Sequence, residues 1–364
     1  MIKEIIRYGE LEVVYAEKKF RSQSPKITNL FWETTLRCNA NCKHCGSRAG
    51  QDIKIENELT TEEIKNVFKS IENKYNPKSL FISVTGGEPL VRKDVFDVMK
   101  YASDLGFSWG MTTNGMLIND EVIQKMKDSK MLTISISIDG LEKTHDEFRG
   151  VKGSYKKIIE NLKKLSNSNF LHSIMVTTVV NKQNIGELDE IYNEIKDIGT
   201  TTWRLLNIEP IGRAEDNKDL YLDSNDYKYL MKYIKEKRKK SKIAVTYGCA
   251  HYLGLKNERE VRDNCYTCYA GLTIGSILYN GDIFVCPNVE RRPELIQGNV
   301  RKDDFVEVWE NKFKWFRDLD KFKTCTQCSK CEDWKYCLGD SVHSWDFENN
   351  KPKLCLNKIL KGKG

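Results

Sequence analysis

Cys38, Cys42 and Cys45 stand in the run Leu36-Arg-Cys-Asn-Ala-Asn-Cys-Lys-His-Cys-Gly46. The spacing C-x3-C-x2-C offers an iron-sulfur cluster three thiolates where four irons need ligands, which leaves the fourth iron open. An open iron beside a reducing cluster can bind a small molecule and pass it one electron by direct contact, so the spacing points to a reactive centre rather than a structural staple. A zinc knuckle also uses thiolates at short spacing, but it needs a fourth ligand, and His44 lies between two of the cysteines where it can hardly chelate with them. Disulfides fit poorly. Although twelve cysteines occur in 364 residues, the start Met1-Ile-Lys-Glu-Ile-Ile-Arg-Tyr-Gly-Glu10 carries acidic residues and no apolar stretch of a secretory signal. The chain reads as cytoplasmic, reducing and anaerobic.

Three more motifs follow, Gly86-Gly87-Glu88-Pro89, Thr113-Asn114-Gly115 and Ser137-Ile138-Asp139-Gly140, each at the end of an apolar run. The elements that must position them are read from periodicity. Short β-type runs lie at Leu30 to Thr35, Leu80 to Val84, Trp109 to Thr113, Thr133 to Ile138, Ile174 to Val180 and Thr202 to Ile208. Helical spacing falls at about 60 to 74, 93 to 105, 119 to 130, 154 to 167, 184 to 198 and 223 to 240, with Thr60 and Ser154 as N-caps. Strands alternating with helices predict parallel β/α units, and six of them suit an incomplete barrel better than a closed eight-fold one. In such folds the chemistry gathers at the C-terminal strand ends, where every motif above falls.

The residues bound the function further. A hydrophobic content of 40% is enough for a sizeable core and two domains. No apolar run is long enough to span a membrane. The net charge of +7 comes from cations mixed among nearly as many acids, and the densest run, Lys235-Glu-Lys-Arg-Lys-Lys240, ends a predicted helix where it complements the dipole. Neither a membrane nor a nucleic-acid partner is expected. From about Tyr247 the texture turns to cysteine, aromatic and glycine, with nine of the twelve cysteines at 249, 265, 268, 286, 325, 328, 331, 337 and 355. That is the composition of a small metal-organised domain. The expected division is a β-hairpin decoration over 1–26, a partial barrel over 27–215, a bridging helix over 216–246 and an auxiliary-cluster domain over 247–364.

The order of these motifs resembles the radical S-adenosylmethionine (radical SAM) enzymes, and the resemblance implies an α/β fold with a partial (β/α)6 TIM-type barrel followed by a small cysteine-rich iron-sulfur domain. It implies a 4Fe-4S cluster on Cys38, Cys42 and Cys45 whose open iron takes the amino and carboxylate groups of S-adenosylmethionine. Gly86, Gly87 and Glu88 of the Gly86 to Pro89 strap would contact the methionyl amine, and Asn114 would join the binding site. Ser137 and Asp139 match positions on the ribose or adenine. Arg149 matches an arginine that pairs the methionyl carboxylate, a role suited to a guanidinium fork. The family often has an aromatic before the third cysteine, packed on adenine, and here that position is His44.

The last third resembles the SPASM extension of that superfamily, which carries auxiliary 4Fe-4S clusters. Cys268 with Gly281 and Cys286, then Cys328-x2-Cys331-x5-Cys337, then Cys355 match its pattern, as do Gly298-Asn299, Trp309 and Pro210-Ile-Gly-Arg-Ala214. Ser341 stands where the pattern has a further cysteine. The resemblance implies an outer cluster on Cys328, Cys331, Cys337 and Cys355. The inner one would draw on Cys268, Cys286 and Cys265, with Cys325 expected to replace the missing ligand and Cys249 or substrate as the alternatives.

The function expected is that of an oxidoreductase that cleaves S-adenosylmethionine and abstracts a hydrogen atom from its substrate, most simply a ribosomally synthesised peptide. A small-molecule or tetrapyrrole decarboxylase or dehydrogenase of the haem-maturation type is the second reading. A non-catalytic iron-sulfur or zinc module is the third, and it has no need of a methionine-binding loop. The resemblance implies an electron donor such as ferredoxin or flavodoxin. Fewer than thirty residues precede the barrel, too few for a leader-peptide domain, so a peptide substrate would call for a separate recognition protein.

Overall fold

A single ten-stranded sheet organises the computed structural model, which describes residues 2–362. Six strands are the expected ones: β1 (Asn29–Glu33), β2 (Phe81–Thr85), β3 (Ser108–Thr113), β4 (Thr133–Ser137), β5 (Ser173–Val180) and β6 (Thr202–Asn207). They pair in parallel in chain order, and β7 (Ala244–Tyr247) extends the row beyond β6. The other edge is extended from the C-terminal region: β8 (Ile274–Ile277) pairs in parallel with β1, and β9 (Asp282–Phe284) and β10 (Gly298–Asn299) follow antiparallel. The two ends of this row do not pair, so the barrel stays open among the described residues.

The strand alternation is what separates core from site. Leu30, Trp32, Ile82, Val84, Ile134 and Ile136 are fully buried towards the helices, where Trp32 meets Phe68 edge-on at 6.1 Å. Phe68 belongs to α2 (Thr61–Lys74), which begins with the reciprocal capping box of Thr60 and Glu63 that its sequence announces. The opposite residues, Glu33, Thr85, Thr112 and Ser137 among them, face a concave interior. The outer layer continues with α3 (Val95–Asp104), α4 (Asp120–Asp128), α5 (Glu142–Arg149), α6 (Ser154–Asn167), α7 (Leu188–Ile195) and α8 (Ser224–Lys240). None of the helices is long and apolar enough to cross a membrane among the described residues.

Four local expectations are corrected. Residues 1–26 hold no hairpin: Ile2–Gln23 form one helix, α1. Leu11 and Lys18, seven apart, are buried, while Glu12 bonds Lys335 and Tyr336 and Glu17 accepts from Tyr269. Tertiary docking therefore decides the conformation, and Met1 lies outside the described residues. Ser154 is not the N-cap of α6 but its first residue. Gly153 occupies the cap with a φ of 78°, and the carboxylate of Asp146 accepts from the Gly153 and Tyr155 amides instead. The segment 216–246 is more than a bridge, since α8 leads into β7 and adds a further β/α unit to the sheet. Helix α5, which carries Arg149, was not expected at all.

The C-terminal region is fastened to the barrel by packing as well as by strands. A Cβ on Gly275 of β8 would sit 3.0 Å from the Trp309 ring, and Arg301 bonds Glu63 and the Glu58 carbonyl at the start of α2.

Candidate active site and cluster centres

The C-terminal ends of the strands open into one cavity of about 480 Å³. Cys38, Cys42 and Cys45 line one side of it, and Cys268 and Cys286 line another. All twelve cysteines are free thiols.

The loop after β1 is clamped from three directions. Cys38 N bonds the Gly50 carbonyl, while Asn41 N and Lys43 N bond the carbonyls of Arg149 and Phe148 at the end of α5. The strap after β2 crosses it closely: Gly87 N donates to Thr35 O at 2.7 Å and Glu88 N to Arg37 O at 2.9 Å. A Cβ on Gly87 would run into the Arg37 carbonyl, so only glycine permits this crossing. The third clamp is Arg213 of the Pro210 to Ala214 segment, which donates to Cys42 O at 2.8 Å and to Ala49 O at 2.7 Å. Burial pushes the Cys38 thiol up to about 12, with Glu88 and the neighbouring cysteine sulfurs adding to the rise against the Ala40 amide. Such thiols keep their protons until a metal displaces them.

Of the expected S-adenosylmethionine contacts, Gly86, Gly87, Asn114, Ser137, Arg149 and His44 line the cavity. Asn114 also tightens the cluster loop, with Nδ2 donating to Asn39 Oδ1 at 2.7 Å. His44 stacks face to face on Phe148 at 4.4 Å, and burial next to Arg149 lowers its pKa to about 3, so the ring is neutral. Its Nδ1 is buried without a hydrogen-bond partner, which suits a ring that meets a bound group. Pro89 is buried at the start of a 3-10 turn and does not line the cavity.

Two carboxylates serve differently from expectation. Glu88, expected at the methionyl amine, turns away from the cavity. It is fully buried, and its oxygens accept from Leu90 N, Thr113 Oγ1 and Asn114 N. It is thus the brace that joins the β2 and β3 loops, because an unpaired carboxylate could not be buried there. Asp139 is also fully buried, accepting from Val179 N at 2.6 Å and pairing with Arg149. Burial opposes charge on Arg149, yet Asp139 and the Cys42 sulfur 3.5 Å away outweigh it and hold the guanidinium firmly protonated. Asp139 therefore positions Arg149, and Arg149 is the member of the pair that reaches the cavity.

The C-terminal thiols fall into groups. Cys268 and Cys286 are neighbours. Cys265 packs in the same apolar cluster as Cys268, Cys337 and Leu11 of α1. Cys328 lies by Cys355 and Cys331. Cys325, expected at the inner cluster, is buried instead beside Cys328, because it precedes a one-turn helix, Thr326–Ser329, that brings residues three apart together. Ser341 is buried with its hydroxyl on the Ala250 carbonyl. Cys249 takes the Asn207 amide at 3.3 Å and lines the cavity.

One cluster was missed. Glu209, His251 and His343 converge beyond β6, with side-chain ligand atoms within 4.8 Å of one another. His251, fully buried, spans Glu209 Oε1 and Asp340 Oδ2 at 2.7 Å each. Burial disfavours its charge, but the two carboxylates win and hold it above the ordinary imidazole range. Position alone could have found Glu209, two residues past a strand end, whereas His251 and His343 arrive from the irregular C-terminal chain.

The comparisons agree with this geometry. Residues 32–195 match the radical SAM superfamily and residues 268–332 the SPASM iron-sulfur cluster-binding domain. The chain belongs to the radical SAM superfamily and is an enzyme. Within it, the chain carries the C-terminal SPASM domain, and the two domains bring a 4Fe-4S cluster that binds S-adenosylmethionine together with auxiliary clusters. The AdoMet-dependent heme synthase of Methanosarcina barkeri is 29% identical over 87% of this chain and 91% of its own length. Mycofactocin maturase of Mycolicibacterium smegmatis is 29% identical over 85% of this chain and 76% of its own. Among solved structures, SuiB of Streptococcus suis bound to S-adenosylmethionine superposes with a TM-score of 0.72 at 18% identity, over 93% of this chain and 78% of that one. The enzyme anSMEcpe, solved with AdoMet and a peptide, gives 0.70 at 18% identity over 93% and 95%. Both show the same fold.

Proposed function

We propose that the protein oxidises a substrate held in the cavity between the Cys38, Cys42, Cys45 loop and the Cys268, Cys286 wall, by abstracting a hydrogen atom from an unactivated C-H bond. The observation that carries this reading is that both sets of thiols line a single cavity. When bound, the first cluster with S-adenosylmethionine supplies a hydrogen-abstracting 5'-deoxyadenosyl radical, and the auxiliary clusters supply an acceptor for the electron the substrate then loses. The chain's own residues do the rest. Arg149, fixed by Asp139, receives the methionyl carboxylate; the Gly86-Gly87 strap offers backbone groups to the amine; the neutral His44 ring borders the adenine.

For the substrate we favour a ribosomally made peptide, a reading supported by the similarity to a maturase and by the shared fold of two proteins solved with bound peptides. A tetrapyrrole is the second reading, supported by the match to a heme synthase over nearly its whole length. The protein, reconstituted anaerobically and reduced with dithionite, should release 5'-deoxyadenosine and methionine; no cleavage would overturn the reaction class. Mass change of a peptide encoded in a short reading frame beside the gene supports the first substrate reading. Turnover of Fe-coproporphyrin III in its place would establish the second.

A further inference from the structure

Among the described residues, Glu209 is the one carboxylate lining the cavity with an oxygen that has no hydrogen-bond partner. Its Oε1 accepts from His251 Nε2 at 2.7 Å and from Asn207 Nδ2 at 2.9 Å, with His343 Nε2 at 3.6 Å. The carboxylate is thereby held in one orientation. Its other oxygen, Oε2, is buried and without a hydrogen-bond partner, although the residue lines the cavity. The carboxylate is packed among His251, fixed from behind by Asp340, His343, Asn207, the Cys249 thiol and the Tyr227 and Tyr247 rings, and no hydrogen bond of normal geometry reaches Oε2. A buried acceptor left open in a shaped cavity is unfavourable unless something donates to it, so its presence marks a place where a bound molecule brings a donor.

We propose that Glu209 is a substrate-anchoring residue that takes a cationic or N-H group, an ammonium, guanidinium or peptide amide, on its Oε2, while Asp340 and His251 are positioning residues that aim it. The site rests on the reaction proposed above and sharpens it towards a peptide: a carboxylate here attracts amides and side-chain cations, and it repels the carboxylates that ring a coproporphyrin. His343 lines the same cavity.

The test uses the full-length, cluster-loaded protein with S-adenosylmethionine present and no reductant, so that binding is read without turnover. Calorimetry is run with N-acetyl-arginine amide and with Fe-coproporphyrin III. The arginine amide should bind the wild type and lose about tenfold or more in affinity in Glu209→Gln, in keeping with removal of a charge-assisted hydrogen bond. Glu209→Asp, which keeps the charge but shortens its reach, should lose less. The tetrapyrrole should bind the Gln variant no more weakly than the wild type. Iron content equal to wild type in both variants shows that the fold and clusters persist. Failure of the arginine amide to bind, equal affinity in wild type and Glu209→Gln, or tighter tetrapyrrole binding to the wild type would each overturn the anchor. So would one equivalent of zinc or manganese carried by the wild type and lost in Glu209→Gln, which would make Glu209, His251 and His343 a metal site. The reaction class stands or falls separately, on whether the wild-type protein forms 5'-deoxyadenosine on reduction, whatever the outcome of the arginine amide titration.

Discussion

The two ends of the cavity are built by opposite means. At the Cys38 end three ligands come from one eight-residue stretch, fixed by backbone hydrogen bonds to the strap after β2, to the end of α5 and to Arg213. At the other end the thiols that line the cavity, Cys249, Cys268 and Cys286, come from separate segments, and the remaining cysteines of that region extend to Cys355, in a chain whose regular elements are short. The sheet makes the first site before any metal arrives. The second is arranged by turns, aromatic packing and α1, and a cluster is needed to tie such segments together. Ligand spacing is therefore decisive at the first site and ambiguous at the second.

The largest expected effect tests the prefabricated end. Replacing Cys38, Cys42 and Cys45 together by Ala should abolish 5'-deoxyadenosine formation and remove about four of some twelve irons, with thermal stability close to wild type. Persistent cleavage in the triple variant would break the assignment. At the other end, Cys328→Ala with Cys331→Ala should also cost about four irons, but here limited proteolysis should cut the chain beyond residue 300 while the barrel fragment survives. If both variants resist protease equally, the contrast drawn above fails.

Arg149→Met comes next. It leaves the fully buried Asp139 without its cation, which should destabilise the protein by about 3–5 kcal/mol in a denaturant titration and weaken S-adenosylmethionine binding. Arg149→Lys should restore part of the stability but little of the binding, since the bidentate fork is lost.

Cys325→Ala sharpens the comparison within the second end. Because Cys325 lies beside Cys328, its removal should alter the EPR signal of the outer auxiliary cluster and leave S-adenosylmethionine cleavage intact. A change confined to the inner cluster would return Cys325 to the role its spacing suggested.

The smallest effect lies where the two regions are pinned together. Arg301, with help from the Thr60 cap, lowers Glu63 to about 2, below its ordinary value near 4.5. A depressed folded-state pKa contributes stability above the ordinary value that is lost as pH falls from about 4.5 towards 2. Both side chains are about a third exposed, so Glu63→Gln should cost less than about 1 kcal/mol at neutral pH and flatten that acid limb.

Much of the barrel was legible because its signals are local. All six expected strands lie within about two residues of their observed ends, since β-branched runs and Gly-rich loops report a parallel sheet directly. The motif residues were placed for the same reason. What escaped depends on partners far away in the chain. Helix α1 takes its conformation from Lys335, Tyr336 and Tyr269, more than 250 residues on. Glu88 reads as a ligand from its motif, but only the meeting of the β2 and β3 loops shows it spent on Asn114 and Thr113. His251 needs Glu209 and Asp340, separated from it by 42 and 89 residues, before it has any role.

The pairing of β8 with β1 has a consequence for how the protein is made. Asn29 aligns with Ile274, so the strand that leads into the first cysteines emerges from the ribosome with one hydrogen-bonding edge bare. At ordinary rates of synthesis, roughly ten to fifty seconds pass before its neighbour appears. During that interval the nascent barrel presents an unpaired strand edge, a template on which another chain can pair. The final product ends the row in the two-residue strand Gly298–Asn299, too short to template another chain.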